Sequence, residues 1–465
     1  MQSVKSTNLN QMLNGLRSPT NEVSEGREHF QSIYEYLLIA LGVCWFLLIV
    51  CELYFGRDLV ETISFRVQDA TWLPANVGPS QSLIGLHHFG DFQIWLGYAT
   101  IHNPFANFIK YPPQSPPQAL WLFRALLKLG FQQAIGVPKV LLGFWLLSFL
   151  SWAKGSSVFL KKMGLQKSEL RHLAAISVLS APFIVTFDRG SLQFIVVGAA
   201  LLFLHYADKD KNFSASLFFK VAVSLKPYCS ILILWPICLR NWRAVWGSLS
   251  LSFLLTTFAI WTLPSSFNSA LTSFLGALSN HVVGPNLSWL SDSVSSPAAV
   301  WKIVNLLRFQ PLISKFESES QLVLMLIGLT TLASIAIIIY SRFSTKQQTL
   351  IFLLSTTQLI VPLSGLYTPL WVVALLPSLV REVTSLNSRR DSENHMVNKL
   401  SAVFSVFAII SLLPLPGSVN VGEYAYRYCA TIAPMGMTVS IYFSAVYIAV
   451  KTIKERLMKP TPPLL

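Results

Sequence analysis

The sequence predicts an all-α polytopic integral membrane protein with about twelve transmembrane helices, in a range of roughly eleven to thirteen. Three observations predict it. Hydrophobic residues make up 53% of the 465 and charged residues only 12%, about half of the roughly 25% charged that a soluble globular chain carries. Apolar runs recur along the chain at lengths near the ~20 residues that cross a bilayer. Lysine and arginine gather in alternate connections between those runs, the pattern of cytoplasmic loops.

The elements follow in order. Residues 1–33 are polar and of mixed charge. They lack the short basic region and cleavage site of a signal peptide and are expected to form a cytoplasmic N-terminal tail. The first span is expected from Tyr36 to Phe55. A long mixed region, 56–136, closes on "SPPQALWLFRALLKLG", whose Trp, Phe and Leu fall on one side of an amphipathic interfacial helix. The next three spans are expected from Val137 to Trp152, Leu173 to Phe187 and Ser191 to Tyr206. A short fifth, Phe213 to Leu225, is separated from a sixth, Tyr228 to Leu239, by Lys226-Pro227, where proline stops or kinks a helix. The seventh runs from Val245 to Leu263. A second hydrophilic region, 264–320, precedes spans expected from Leu322 to Tyr340, Thr349 to Leu363, Pro369 to Val380, Ala402 to Leu413 and Cys429 to Val450. The multi-span domain thus covers 34–451, and 452–465 is a cytoplasmic C-terminal tail.

The basic connections orient these spans. "KGSSVFLKKMGLQKSELR", "DKDKN", "RNWR", "RFSTK" and "REVTSLNSRRDSENHMVNK", with Lys451, Lys454, Arg456 and Lys459 of the tail, all fall on one side, which is cytoplasmic. Regions 56–136 and 264–320 then form two long outer-face loops carrying amphipathic helices. The net charge of +14 follows from this topology. No soluble face carries a basic patch, so nucleic acid is not an expected partner. Cys44, Cys51, Cys229, Cys238 and Cys429 include no CxxC pair and fit neither a zinc site nor a disulfide framework. They read as small packing residues.

The outer face collects the polar residues that carry chemistry. "HHFGDFQIWLGYATIHNPFANFIKYPP" contains one acid, Asp91, flanked by aromatics, with His88 before it and Tyr111 in a Tyr-Pro-Pro turn. "FDRGSLQF" plants Asp188, Arg189 and Gly190 between two apolar runs, with Gln193 following. One reading is an Asp–Arg ion pair at a glycine turn near lipid. The other is recognition of a phosphate or sugar by Arg189, with Asp188 orienting it. In "VSLKPYCSIL", Lys226 ends a short helix. It either snorkels to an interface or faces a cavity and holds an anion. "NHVVGPNLSWL" supplies His281, Asn286 and Ser288, the last two matching a glycosylation sequon. In "LIVPLSGLYTPLWV", Pro362, Ser364 and Tyr367 interrupt a span near the outer face.

Together these stretches resemble the polytopic GT-C glycosyltransferases. More closely they resemble glycosyltransferase family 87, the polyprenyl-phosphate-mannose-dependent α-mannosyltransferases, over roughly residues 34–380. The matching residues are Asp91, Asn103-Pro104-Phe105, Tyr111-Pro112-Pro113, Asp188-Arg189-Gly190-Ser191, Lys226-Pro227-Tyr228, Asn286 with Ser288, and Pro362, Ser364 and Tyr367. Two positions depart from the family pattern. Ser191 stands where relatives carry Asn, and Tyr367 stands where many carry His, so no role for that His carries over.

The resemblance implies a GT-C-like architecture and a hexosyltransferase with mannose as the default sugar. It implies a polyprenyl-phosphate sugar donor and a glycolipid or glycan acceptor, at the outer face of a bilayer. The expected location is a bacterial plasma membrane with both termini cytoplasmic. In the implied reaction, Asp91 is the general base that deprotonates the acceptor hydroxyl. That oxygen displaces the prenyl phosphate with inversion. Arg189 and Lys226 neutralise the leaving phosphate, and Asp188, His88, Gln193, Tyr111, His281, Asn286, Ser288 and Tyr367 bind or support the substrates. Retention would require a second carboxylate about 5 Å away, and no motif offers a pair. No cofactor and no metal are implied, since the donor lipid is a substrate and the outer-face carboxylates are scattered. A lipid or glycan transporter, a flippase or a polymer ligase is the rival class. Broken helices suit transporters too, but here the polar groups collect at one face.

Overall fold

The computed structural model describes residues 22–55, 92, 95, 97–99, 105, 116–126, 128, 137–161, 165, 167–189, 191–263, 265–283, 290, 293–341, 343–360, 368–385, 395–415, 418–421 and 424–458. Helix α1 (Glu22–Phe55) is followed by α2 (Gln118–Leu126), α3 (Val137–Lys161), α4 (Lys167–Leu179), α5 (Ala181–Arg189), α6 (Gln193–Asp208) and α7 (Asn212–Leu225). A 3-10 segment (Pro227–Ile233) leads into α8 (Leu234–Cys238), α9 (Trp242–Trp261), α10 (Phe267–Val283), α11 (Ser296–Leu306) and α12 (Gln310–Ser318). The chain continues with α13 (Ser320–Tyr340), α14 (Lys346–Leu359), α15 (Leu370–Thr384), α16 (His395–Ile410) and α17 (Ile432–Met458). Among the described residues the one departure from an all-α fold is an antiparallel hairpin, β1 (Ser418–Val421) with β2 (Tyr424–Arg427), in register Val421↔Tyr424.

Length and composition sort the helices into two kinds. Four contain a window able to cross a membrane: Ser32–Val50, Trp242–Trp261, Ser320–Tyr340 and Ile432–Glu455, or five if α4 and α5 count as one bent span. On α9 the residues Trp242, Trp246, Phe253, Phe258 and Trp261 are exposed, the outward stripe of a helix against lipid. Helix α6 is the opposite case. It is apolar all round, and every residue from Gln193 to Leu204 is buried, so it sits in the middle of the bundle.

Lipid tails are as apolar as leucine, so helices in a membrane associate through close packing rather than exclusion from water. Small residues permit it here. A Cβ added to Gly198 of α6 would lie 2.4 Å from the Ser151 carbonyl oxygen of α3, and one on Gly155 of α3 would lie 2.5 Å from the Gly198 carbonyl oxygen. On the far side, the ring of Phe407 in α16 occupies the place of a Cβ on Gly436 of α17, 2.2 Å away.

Polar contacts gather the basic connections at one end of the bundle. The Asn241 amide donates to Asp210 Oδ1 at 3.1 Å, Lys346 pairs with Asp208, and Lys451 lies over the Phe343 ring at 4.3 Å. Gln348 caps its own helix through a capping box with Thr345. Its amide donates to Glu382 Oε2 and Asn398 Oδ1, both at 3.0 Å, which ties α14, α15 and α16 together at that end.

Several sequence expectations are corrected in detail. The run Leu173 to Phe187 is not one straight span, because α4 and α5 meet at Ser180 with a 57° bend. Pro182 lies in the first turn of α5, where proline is tolerated, so the helix breaks just before it. The freed backbone groups find distant partners: the Trp45 indole N–H donates to the Leu179 carbonyl at 2.7 Å, and the Ala181 N–H to the Leu412 carbonyl at 2.9 Å. The sixth expected span begins as 3-10 helix and only then becomes α8. The amphipathic segment near 118 is a helix, but Gln118, Ala119, Leu120 and Phe123 are buried rather than lying on an interface.

Candidate functional site

At the end opposite the basic connections, α5 closes on the Asp188-Arg189-Gly190 turn. The Ser191 N–H donates to the Thr186 carbonyl at 3.1 Å. This six-to-one bond marks a helix that ends on a C′ residue, a position usually taken by glycine, and the sequence supplies Gly190 there. The same bond recurs where α6, α8 and α11 end, with Asp210, Arg240 and Arg308 at positive φ in the glycine place. The Ser191 hydroxyl is buried and has no hydrogen-bond partner among the described residues.

Two residues on, Gln193 opens α6 and is 2% exposed. Its Oε1 accepts from the Tyr228 hydroxyl at 3.1 Å. Tyr228 belongs to the Lys226-Pro227-Tyr228 junction, where α7 ends. Lys226 is extended, φ −142 and ψ 106, because a residue before proline is driven out of the helical region. Lys226 itself is half-buried. The structure therefore joins two motifs that the sequence keeps 35 residues apart.

Helix α6 starts well below the start of α3. Gly198 packs on Ser151 and Gly155, so Gln193 lies level with the middle of α3. The remainder of α3, back to Val137, extends about 15 Å further at 1.5 Å per residue. Ser191 and Gln193, both buried, therefore lie below the start of α3.

A second gathering point adjoins α5. Leu48 of α1, Val185 of α5, Val294 and Ala430 form one small buried cluster. The Lys302 ammonium donates to the Ser293 and Ala430 carbonyls at 2.8 and 2.5 Å. The Gln358 amide donates to the Val294 carbonyl at 3.3 Å and accepts from the Trp371 indole at 3.1 Å.

The remaining expected site residues divide plainly. Asp91, His88, Tyr111, Asn286, Ser288 and Tyr367 lie outside the described residues. Asp188 and Arg189 at the end of α5, and His281 in α10, are described through their backbone alone. Neighbours of Asp91 along the chain are placed. The Phe92 ring is 5.0 Å from Phe144 of α3 and 5.9 Å from Phe123 of α2, Trp95 stacks on Phe123 at 5.5 Å, and Phe105 meets Phe274 of α10 edge-on at 5.6 Å. Among the described residues no three His, Cys, Asp or Glu side chains are grouped to hold a metal ion.

Sequence reasoning missed Tyr228 as a partner of Gln193, and it missed Lys302 and Gln358 altogether. Lys302 carried a signal, a charge inside the mainly apolar helical run "AVWKIVNL", whereas Gln358 follows three other polar residues in "STTQLI" and did not stand out.

Compared with curated proteins, the chain matches none. Residues 114–369, which hold the 188–191 turn, the Lys226 junction and the clamped segment at Ser293 but begin after Asp91 and Tyr111, match the family model for glycosyltransferase family 87, and the chain belongs to that family.

Proposed function

We propose that this membrane glycosyltransferase moves a hexose, mannose by default, from a polyprenyl-phosphate donor to a hydroxyl of a glycolipid or glycan acceptor, at the end of the bundle opposite its basic connections and on the outer face of the membrane. The observation that carries this reading is the bond between Tyr228 and Gln193. It joins the start of the helix that follows the Asp188–Arg189 end of α5 to the junction bearing Lys226, which supports a reading in which both cations serve the leaving phosphate.

The chemistry uses one base. The acceptor O–H gives its proton to the Asp91 carboxylate while its oxygen bonds to the anomeric carbon. The bond from that carbon to the phosphate oxygen breaks, and prenyl phosphate departs with the electron pair. Arg189 meets the phosphate through two parallel N–H donors and Lys226 as a point charge. Asp188 orients Arg189. His88, Tyr111, His281, Asn286, Ser288 and Tyr367 shape the sugar and acceptor sites, and inversion follows from the single displacement.

The test is purified protein with radiolabelled polyprenyl-phosphate mannose and a glycolipid acceptor in detergent, where no compartments exist for transport. Wild type consumes the donor. Asp91→Asn stays folded, binds the donor and transfers no label. Transfer by Asp91→Asn within a few-fold of wild type removes Asp91 from the role of base.

A further inference from the structure

The first turn of α6 presents hydrogen-bond donors and no acceptors. The first four N–H groups of a helix have no partner inside it and are met by caps, water or ligands. In α6 they belong to Leu192, Gln193, Phe194 and Ile195, since the first bond of the helix runs from the Val196 N–H to the Leu192 carbonyl. No side chain caps the turn, and it holds no acidic residue. Among the described residues no carbonyl accepts from these four groups. Helices α9, α11 and α14 show the ordinary solution, in which Asn241, Ser295 and Thr345 each accept from a backbone N–H of the first turn.

Ser191 is a residue of the capping type at this turn. Leu192 already has helical dihedrals, φ −63 and ψ −4, so Ser191 stands where a cap stands, at the mouth of the helix. Its hydroxyl caps nothing, however. Ser191 is 2% exposed, and its Oγ has no hydrogen-bond partner among the described residues. Gln193 adds a further donor. Its Oε1 is taken by the Tyr228 hydroxyl, which leaves the N–H groups of the amide to face a ligand. Leu192, Gln193, Phe194 and Ile195 are all buried, and a buried N–H without an acceptor costs about as much as a lost hydrogen bond.

We propose that the start of α6 binds the phosphate of the lipid-linked donor, with the N–H groups of its first turn, the Ser191 hydroxyl and the Gln193 amide donating to the phosphate oxygens. This rests on the transfer reaction proposed above. A site made of donors alone selects an oxyanion over a sugar hydroxyl, which must donate as well as accept. The N-terminus of a 16-residue helix adds its positive partial charge. The phosphate gains negative charge as its bond to the anomeric carbon breaks, so these fixed donors hold the leaving group more tightly than the intact donor.

Binding is separable from stability at Ser191. Ser191→Ala removes a hydroxyl that bonds to nothing described. Ser191→Asp places a carboxylate at the cap position, which satisfies the turn and stabilises the helix while repelling phosphate. The experiment compares both full-length variants with wild type in detergent, by size exclusion, by equilibrium binding of prenyl phosphate and of the prenyl alcohol of the same length, and by hydrogen–deuterium exchange. All three proteins are expected to be monodisperse. Ser191→Ala weakens prenyl phosphate binding roughly 10-fold, the loss of one hydrogen bond to a charged group, and Ser191→Asp weakens it by roughly 100-fold or more. Binding of the alcohol stays within about twofold. Prenyl phosphate slows exchange in peptides covering 192–195 of wild type and not of Ser191→Asp. If Ser191→Asp does not fold, Ser191→Ala carries the test.

Prenyl phosphate binding by a folded variant within about twofold of wild type overturns the proposal. So do an equal loss of alcohol binding, unchanged exchange at 192–195 of wild type, or failure of Ser191→Ala to fold. Inorganic phosphate or phosphatidylglycerol that displaces prenyl phosphate with the same dependence on Ser191 assigns the turn to free phosphate or bulk lipid, and overturns it as a donor site. Wild type that binds prenyl phosphate in this way but consumes no donor sinks the transfer reaction and leaves the phosphate site standing.

Discussion

Tyr228→Phe tests the joint on which the donor site is built. The substitution removes the hydroxyl that donates to Gln193 Oε1 at 3.1 Å and little else. Gln193 is 2% exposed, so its carbonyl is left without water, and a buried acceptor stranded in this way costs about 1–3 kcal/mol. Gln193→Leu removes the acceptor instead. Tyr228 is only half-buried, its hydroxyl can find other partners, and the cost falls to about 0.5–1.5 kcal/mol. The double variant leaves neither group stranded and costs no more than the milder single change. The coupling energy is then at least the cost of the larger single change, about 1–3 kcal/mol. The effect is sought at the donor site, so the assay is equilibrium binding of prenyl phosphate to purified protein. One kcal/mol expressed at the donor site weakens binding about fivefold. Tyr228→Phe is therefore expected to raise the Kd by about three- to tenfold, with most of that loss absent when Gln193→Leu is already in place. Effects that simply add, with a coupling below about 0.3 kcal/mol, would refute the reasoning that this bond joins the two motifs.

Three further outcomes follow from the geometry. Gly198→Leu forces a side chain to within 2.4 Å of backbone on α3; overpacking of this kind costs about 1–3 kcal/mol or more, and the monodisperse peak on size exclusion in detergent is expected to be lost. Trp45→Phe strands the Leu179 carbonyl at the break between α4 and α5, a loss of about 1–3 kcal/mol seen as a lower midpoint in thermal unfolding. Arg308→Gly relieves an exposed residue at φ 52 and is expected to stabilise by about 0.5–1 kcal/mol in the same measurement, the αL penalty less the entropy glycine brings to the unfolded chain.

The membrane character, the order of the helices and the break at Lys226 were legible because each is written locally. Proline fixes the residue before it, and a run of apolar residues needs no partner to be recognised. The break at Ser180 was half legible: Pro182 marks it, but the groups that make it tolerable are Trp45 and Leu412, which the sequence places far away. The hairpin has a sequence signal of its own, since a Gly-Glu pair between two alternating stretches suits the short connection that pairing Val421 with Tyr424 requires. Hydropathy does not register it. In the candidate site, Lys226, Gln193 and the Asp188–Arg189 turn stood out as polar residues in apolar surroundings. Lys302 has the same signature, yet its ammonium donates to backbone carbonyls, as the Gln358 amide also does, and a carbonyl leaves no trace in residue identity.

The short helices explain why polar residues are tolerated at such depth. Helix α6 has 16 residues, about 24 Å at 1.5 Å per residue, against a hydrocarbon thickness of about 30 Å. Helix α7, with 14 residues, is shorter still. The turn between them is fixed near the basic end by Lys346, which pairs with Asp208, and by Asn241, which donates to Asp210. The deficit therefore falls wholly at the other end, where Gln193 and Ser191 lie level with the middle of α3. Non-helical backbone at membrane depth is stable only when enclosed by protein or facing a polar cavity. The 3-10 segment after Lys226 and the turn at Gly190 meet that condition together, because Tyr228 closes one onto the other through Gln193. A membrane helix of ordinary length at either position would lift these groups to the interface.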